Sequence, residues 1–229
     1  MDKYQAGELI EYTISEDLVV GYTQVVEGYN ITNTHVPSKT KVEVKKLWED
    51  ENNQDGVRPQ SVVIKLFANG LDTEKRVTLS EANNWHSTFE DLDEFENGEK
   101  ISYTIEEEKV ENGYESVITG SHEQGYTVTN SRTPETTEVI VVKTWDDFRN
   151  QDAKRPNSIT IRLLADGVRI QSKIITKEDD WVWKFENLPK YKEGALIVYT
   201  ITEDLVEGYS TIVEGHSIIN SYTPGKTSL

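Results

Sequence analysis

Alternation of apolar and polar residues runs through most of the chain. Val42-Glu-Val-Lys-Lys-Leu-Trp48 puts Val42, Val44, Lys46 and Trp48 on one face and Glu43, Lys45 and Leu47 on the other, as successive side chains of a strand do. The same reading predicts strands over Thr40 to Trp48, Ser61 to Ala68, Arg76 to Leu79, Trp85 to Leu92, Lys100 to Glu107, Tyr114 to Thr119 and Tyr126 to Asn130, with Gly, Pro, Asn and Asp turns between them. Helical periodicity does not persist beyond a turn or two. About seven short strands, each with one apolar face, predict a β-sandwich, because two half-apolar sheets must bury those faces against each other.

The pattern recurs. Val139-Ile-Val-Val-Lys-Thr-Trp145 repeats the segment from Val42, and Asn150-Gln-Asp-Ala-Lys-Arg-Pro156 repeats Asn53-Gln-Asp-Gly-Val-Arg-Pro59, both at an offset of 97 residues. Phe67-Ala-Asn-Gly70 matches Leu164-Ala-Asp-Gly167, while Trp85, Phe89 and Leu92 match Trp181, Phe185 and Leu188. The tail of the unit occurs three times, as Tyr12-Thr-Ile-Ser-Glu16, Tyr103-Thr-Ile-Glu-Glu107 and Tyr199-Thr-Ile-Thr-Glu203. Each tail is followed by a Gly-Tyr pair and a short strand ending in Asn33, Asn130 or Asn220. We therefore expect two complete units, 38–134 and 135–229, preceded by the C-terminal fragment of another over 1–37. The short, Pro-containing joints Val36-Pro-Ser-Lys39 and Arg132-Thr-Pro-Glu-Thr136 favour semi-rigid end-to-end modules.

Three polar residues per complete unit fall on faces that are otherwise apolar. Lys46 and Lys143 align with the core valines of their strands; Glu107 and Glu203 continue the faces of Ile101-Tyr103-Ile105 and Ile197-Tyr199-Ile201; Asn130 and Asn220 continue those of Tyr126-Val128 and Ile218. Burying ionisable groups is costly unless they are paired, so one shared site per unit is the economical arrangement. Desolvation lowers the pKa of a Lys and raises that of a Glu, which sets a neutral amine beside a protonated acid. Such an acid can polarise the Asn carbonyl and shuttle protons as the amine displaces ammonia, leaving a Lys–Asn isopeptide bond. The alternative is a buried Lys–Glu pair with the Asn hydrogen-bonded to it and no covalent link.

At these residues the sequence resembles the Cna B-type domains of Gram-positive surface adhesins. The resemblance rests on the Lys two residues before Trp, the Arg-Pro loop, the Leu/Phe-x-x-Gly hairpin, the central Trp, the Tyr-Thr-x-x-Glu box and the terminal Asn. It covers 38–224 and, in truncated form, 1–37. It implies an all-β chain of tandem prealbumin- or Ig-like sandwiches. It also implies one intramolecular bond joining Lys46 to Asn130 with Glu107 as its catalyst, and a second joining Lys143 to Asn220 with Glu203. The fragment supplies Glu16 and Asn33 as remnants without a Lys. The implied role is a stalk on the bacterial cell surface, its partners being the remainder of the same adhesin and, through other domains, host extracellular matrix; the rival is a module that grips a matrix protein itself.

Composition narrows the alternatives. With 24 Lys+Arg against 41 Asp+Glu the net charge is −17, which argues against nucleic acid and anionic membrane as partners. No apolar run reaches the roughly 20 residues that span a bilayer, and the N-terminus lacks a signal pattern. The absence of Cys removes disulfides and thiolate metal sites, and the four His are scattered. Glu51-x-Asn53-x-Asp55-Gly56 resembles the start of a calcium loop, but Val62 stands where the closing Glu belongs and Phe148 takes the first place in the second unit. We expect no metal and no cofactor. Trp85 and Trp181 are read as core residues inside alternating strands rather than as a carbohydrate platform. No constellation of a turnover enzyme stands out, and the chemistry expected is a single intramolecular event.

Overall fold

The computed structural model describes residues 1–226; the last three residues of the 135–229 unit lie outside the described residues. Seven principal strands follow one another twice. In the first repeat they are β1 (Lys39–Glu49), β2 (Ser61–Ala68), β3 (Leu71–Ser80), β4 (His86–Asp93), β5 (Tyr103–Glu107), β6 (Glu115–Ser121) and β7 (Gly125–Ser131). In the second they are β8 (Thr136–Asp146), β9 (Ser158–Ala165), β10 (Val168–Thr176), β11 (Val182–Pro189), β12 (Tyr199–Glu203), β13 (Ser210–Glu214) and β14 (Ser217–Ser221). The sheets repeat as well: β5-β2-β3 and β6-β7-β1-β4 in the first, β10-β9-β12 and β11-β8-β14-β13 in the second. By their contacts the residues form two compact units, one of 1–45, 61–108 and 118–128, the other of 46–60, 109–117 and 129 onward.

Within the second unit, the core shows how alternation becomes a sandwich. Val139 and Val141 of β8, Phe185 and Leu188 of β11 and Ile218 of β14 face Ile159, Ile161 and Leu163 of β9, Ile175 of β10 and Ile201 of β12 in one buried cluster. Burying each such side chain contributes about 1.5–3 kcal/mol. In the first unit Val42, Val44, Val62, Ile64, Leu66, Leu79, Phe89, Leu92 and Val128 are buried in the same alternating pattern. The β2–β3 hairpin closes through Asn69 and Gly70 at φ of 50° and 81°, the two-residue turn whose twist matches its strands.

Several expected strand limits shift. β3 begins at Leu71, five residues before the predicted start, because it lies at a sheet edge where exposed Asp72, Glu74 and Lys75 show no clean alternation. The strand expected over Lys100 to Glu107 is broken at Ile101 and Ser102, after the small Phe95–Glu96 and Glu99–Lys100 pair. Trp85 and Trp181 do not lie inside strands. Each closes a 3₁₀ turn in the left-handed region, at φ of 58° and 59°, its N–H donating to Ser80 O or Thr176 O. Residues 1–37 form only short hairpins, including Thr23–Glu27 with Asn30–Thr34, and nearly all of them are exposed.

Candidate functional site

In the second repeat the three polar residues come from both sheets and meet in the core. β8 runs parallel to β14 with Lys143 opposite Ile218 and Trp145 opposite Asn220, so Lys143 and Asn220 are diagonal neighbours on the inward face. Glu203 lies opposite Ile161 on β12, in the facing sheet. Lys143 Nζ stands 3.4 Å from Glu203 Oε1, with the two side chains 0% and 1% exposed. The ammonium also donates to Thr144 O at 3.3 Å and sits 4.3 Å from the centre of the Trp145 ring. Burial outweighs the opposing pull of the Glu203 carboxylate and lowers the Lys143 pKa from 10.5 to about 8.

Asn220 is fully buried, yet neither its Nδ2 nor its Oδ1 has a hydrogen-bond partner. Leaving a buried polar atom unsatisfied costs about 1–3 kcal/mol, so the two amide atoms of Asn220 beside the buried Lys143–Glu203 pair form a strained polar site. The arrangement presents a partly neutral amine, a carboxyl and an unengaged carboxamide. Those are the parts an acyl transfer from Asn to Lys needs.

The first repeat places its own three residues in the same local settings. Lys46 is 3%, Glu107 9% and Asn130 0% exposed. Lys46 Nζ donates to Leu47 O at 3.3 Å and lies 4.4 Å from the Trp48 ring centre, and Glu107 pairs with Ile64 across β5 and β2. Both amide atoms of Asn130 lack hydrogen-bond partners, as those of Asn220 do. In the fragment, by contrast, Asn33 Nδ2 donates to Glu16 Oε2 at 2.8 Å on the surface.

Sequence reasoning missed a second polar cluster in each repeat. Asp50 takes two hydrogen bonds from Arg58, at 2.9 and 2.5 Å, and a third from the Tyr114 hydroxyl at 2.7 Å. Burial alone would raise the Asp50 pKa, but Arg58, Tyr114 and the Asn53 N–H together hold it at about 2. Asp147, Arg155 and Tyr209 repeat the arrangement, and burial with the Asp147 contact pushes the Tyr209 hydroxyl up to about 12. The Arg guanidiniums lie over the rings of Trp48 and Trp145, at 5.3 and 5.2 Å, so each cluster braces the Trp beside the buried Lys. The available signal was the recurrence of Asp, Arg and Tyr at matching places in both repeats. The calcium-like loop is engaged otherwise, since Asp55 Oδ2 accepts from Arg132 and from the Glu135 N–H.

The family model for the Cna protein B-type domain matches residues 1–34, 42–131 and 139–221. The chain is 44% identical over 228 residues to a collagen adhesin of Staphylococcus aureus, a match that takes in 100% of this chain but 19% of the relative's length. Among solved structures it is similar to two B repeat units of the collagen-binding protein of Staphylococcus aureus, at 43% identity and a TM-score of 0.77, covering 98% of this chain and 60% of that one.

Proposed function

The chain belongs to the Cna B-type domain family, and from that premise we propose that it is a stretch of stalk repeats from a bacterial cell-wall adhesin, each complete repeat, 38–134 and 135–229, locked by one Lys–Asn isopeptide bond. The observation that carries this reading is the buried Asn without hydrogen-bond partners, present in both repeats and set beside the Lys143–Glu203 pair in the second. In the reaction, Lys143 passes a proton to the Glu203 carboxylate, and the neutral amine so formed attacks Asn220 Cγ while the carboxyl so formed donates a hydrogen bond to the carboxamide oxygen. One Nζ proton passes through the Glu203 carboxyl to Nδ2, the Cγ–Nδ2 bond breaks, and ammonia leaves as the Nζ–Cγ amide forms. Nothing is oxidised or reduced. Lys46, Glu107 and Asn130 have the same roles in the first repeat. The event happens once per repeat, so the residues act as reactants and proton carrier rather than as a turnover enzyme.

Topology gives the bond its mechanical use. β8 and β14 are the first and last principal strands of the repeat and lie side by side, parallel. A pull on the two ends enters at Lys143 and leaves at Asn220, so the chain between them carries no load once the bond has formed. Such a module suits a surface stalk that holds an adhesive domain away from a cell wall, and its acidic surface keeps neighbouring copies apart. Intact-mass spectrometry tests the reading. The purified chain is expected to weigh two ammonia molecules less than its sequence, and a full sequence mass overturns the covalent lock.

A further inference from the structure

The Arg-Pro pair that recurs at Arg58-Pro59 and Arg155-Pro156 has a use beyond its loop. Asp147 directly follows β8, and its buried carboxylate is fully engaged: Arg155 donates to both oxygens at 2.9 and 2.6 Å, the Tyr209 hydroxyl at 3.1 Å and the Asn150 N–H at 2.9 Å. Asn150 Oδ1 in turn accepts the Arg155 N–H at 2.9 Å, so backbone and guanidinium of Arg155 are both fixed. That guanidinium lies 5.2 Å from the centre of the Trp145 ring, and Lys143 Nζ lies 4.3 Å from the same centre. Trp181 and Tyr209 hold the indole edge-on, each at 5.1 Å, and Trp145 stands opposite Asn220 in the strand register. One indole thus carries two cations. A lone ammonium on an indole is attracted by the electron-rich face, which favours its charged form. A guanidinium on the same ring keeps its proton at any working pH, whereas a Lys can give its proton up, so their repulsion is relieved on the Lys side.

We propose that Arg155 is a positioning residue for amide formation: its guanidinium, held on the Trp145 ring by Asp147, offsets the pull of the indole on the Lys143 ammonium and so favours the neutral amine that attacks Asn220. Arg58 has the same part in the first repeat, where it lies 5.3 Å and Lys46 Nζ 4.4 Å from the Trp48 ring centre, and where Asp50 and Tyr114 hold it. The charges around Lys143 support this. Burial is the main cause of its low pKa and Glu203 opposes it; Arg155 then lowers it further, and Asp147 raises it by less. Asp147 itself stays ionised, since Arg155, the Asn150 N–H and the Tyr209 hydroxyl hold its carboxyl below the ordinary value against burial. The role rests on the isopeptide reading and adds a fourth residue to the three that react.

The test follows the Lys143 titration by NMR in the full chain carrying Asn220→Ala, where the amine cannot be consumed. Adding Arg155→Gln should raise the midpoint by about half a pH unit, about a threefold loss of neutral amine at pH 7. Arg155→Lys keeps a cation there and should recover the original midpoint. Tyr209→Phe loosens the cluster without removing a charge, since that hydroxyl stays neutral up to about 12, and should not move it. A midpoint unmoved by Arg155→Gln, or moved as far by Tyr209→Phe, overturns the proposal. Should Arg155→Gln fail to fold, Asp147→Asn removes the opposing charge and should lower the midpoint; no fall there overturns it equally. With Asn220 intact, refolded Arg155→Gln should release ammonia about threefold more slowly at pH 7 and at the unmutated rate above about pH 10, whereas a mere brace would slow it at every pH. An unmoved midpoint leaves the covalent lock standing; a full sequence mass of the unmutated chain overturns the lock itself, and with it any part in forming it.

Discussion

Glu16 with Asn33 and Glu203 with Asn220 are the same pair of residue types at matching places in the repeat, in opposite environments. On the surface of the N-terminal fragment the amide of Asn33 donates to Glu16, Gln24 donates to the same oxygen at 2.9 Å, and water is at hand for whatever remains. In the second repeat the covering sheet and the Lys143 strand exclude water, and the Asn220 amide is left with no hydrogen-bond partner beside a Lys whose pKa has fallen to about 8. The difference teaches that burial, and not the residue pair, decides whether the amide finds its hydrogen-bond partners. A Glu–Asn pair in water is satisfied; beneath two sheets the amide of the same pair is left unsatisfied.

The sharpest way to break the comparison is to remove the acid from each member. Glu203→Gln keeps the shape of the side chain but gives up the exchangeable carboxyl proton. It should cut the deficit against the variant's own sequence mass from two ammonias to one, leaving the first repeat's contribution untouched. Glu16→Gln should leave the mass loss at two ammonias. A Glu203→Gln chain that still loses both would remove Glu203 from the reaction.

Stability gives the next largest contrast. In the chain-entropy account, closing the loop between residues 143 and 220 stabilises the repeat by about 4.5 kcal/mol, the figure used for a cross-link spanning a loop of that length. Asn220→Ala should therefore lower the denaturant midpoint of the second repeat's transition and open it to protease. Asn33→Ala, on an exposed hairpin, should change stability by no more than about 0.5 kcal/mol. Equal midpoints for Asn220→Ala and the unmutated chain would mean that no cross-link is lost.

The sandwich and the burial of Lys46, Asn130, Lys143 and Asn220 are legible because both depend on period-2 alternation and on a repeat that doubles every signal. Lys46 could be separated from Lys45 only because Val42 and Val44 fix the inward face, and the structure buries Lys46 while Lys45 stays exposed. The Asp50–Arg58–Tyr114 cluster was not legible. Asp50 and Arg58 approach each other across a loop with three successive positive-φ residues, a conformation that leaves no periodicity, and Tyr114 arrives from a distant part of the chain. Alternation predicts Trp85 inside a strand because its apolar neighbours Phe89 and Leu92 continue the run. The turn that closes on Ser80 O takes Trp85 out of that run without any change in hydrophobicity to announce it. The pairing of Asp55 with Arg132 was hidden for the same reason, since it depends on where a loop is carried and not on how it alternates.

The smallest effect, and the one that turns the comparison into a rate, is pH. The attacking amine must be neutral, and the folded Lys143 has a pKa of about 8 against an ordinary value of 10.5. Below that pH the neutral fraction falls about tenfold per unit, so ammonia release from freshly refolded, unlinked chain should rise with pH up to about 8 and then level off. Stability of the unlinked form carries the same signature with a determined sign. Because the folded pKa is depressed, the folded state holds fewer protons than the unfolded state between about 8 and 10.5, so the stability of Asn220→Ala should climb through that window, and the gain should be lost as pH falls back through 8. In the linked repeat Lys143 is an amide and cannot titrate, so this contribution should be missing from the unmutated chain. Denaturation of both proteins across pH 7 to 11 measures the difference directly, and parallel curves would mean that Lys143 titrates alike in both and that no amide has formed.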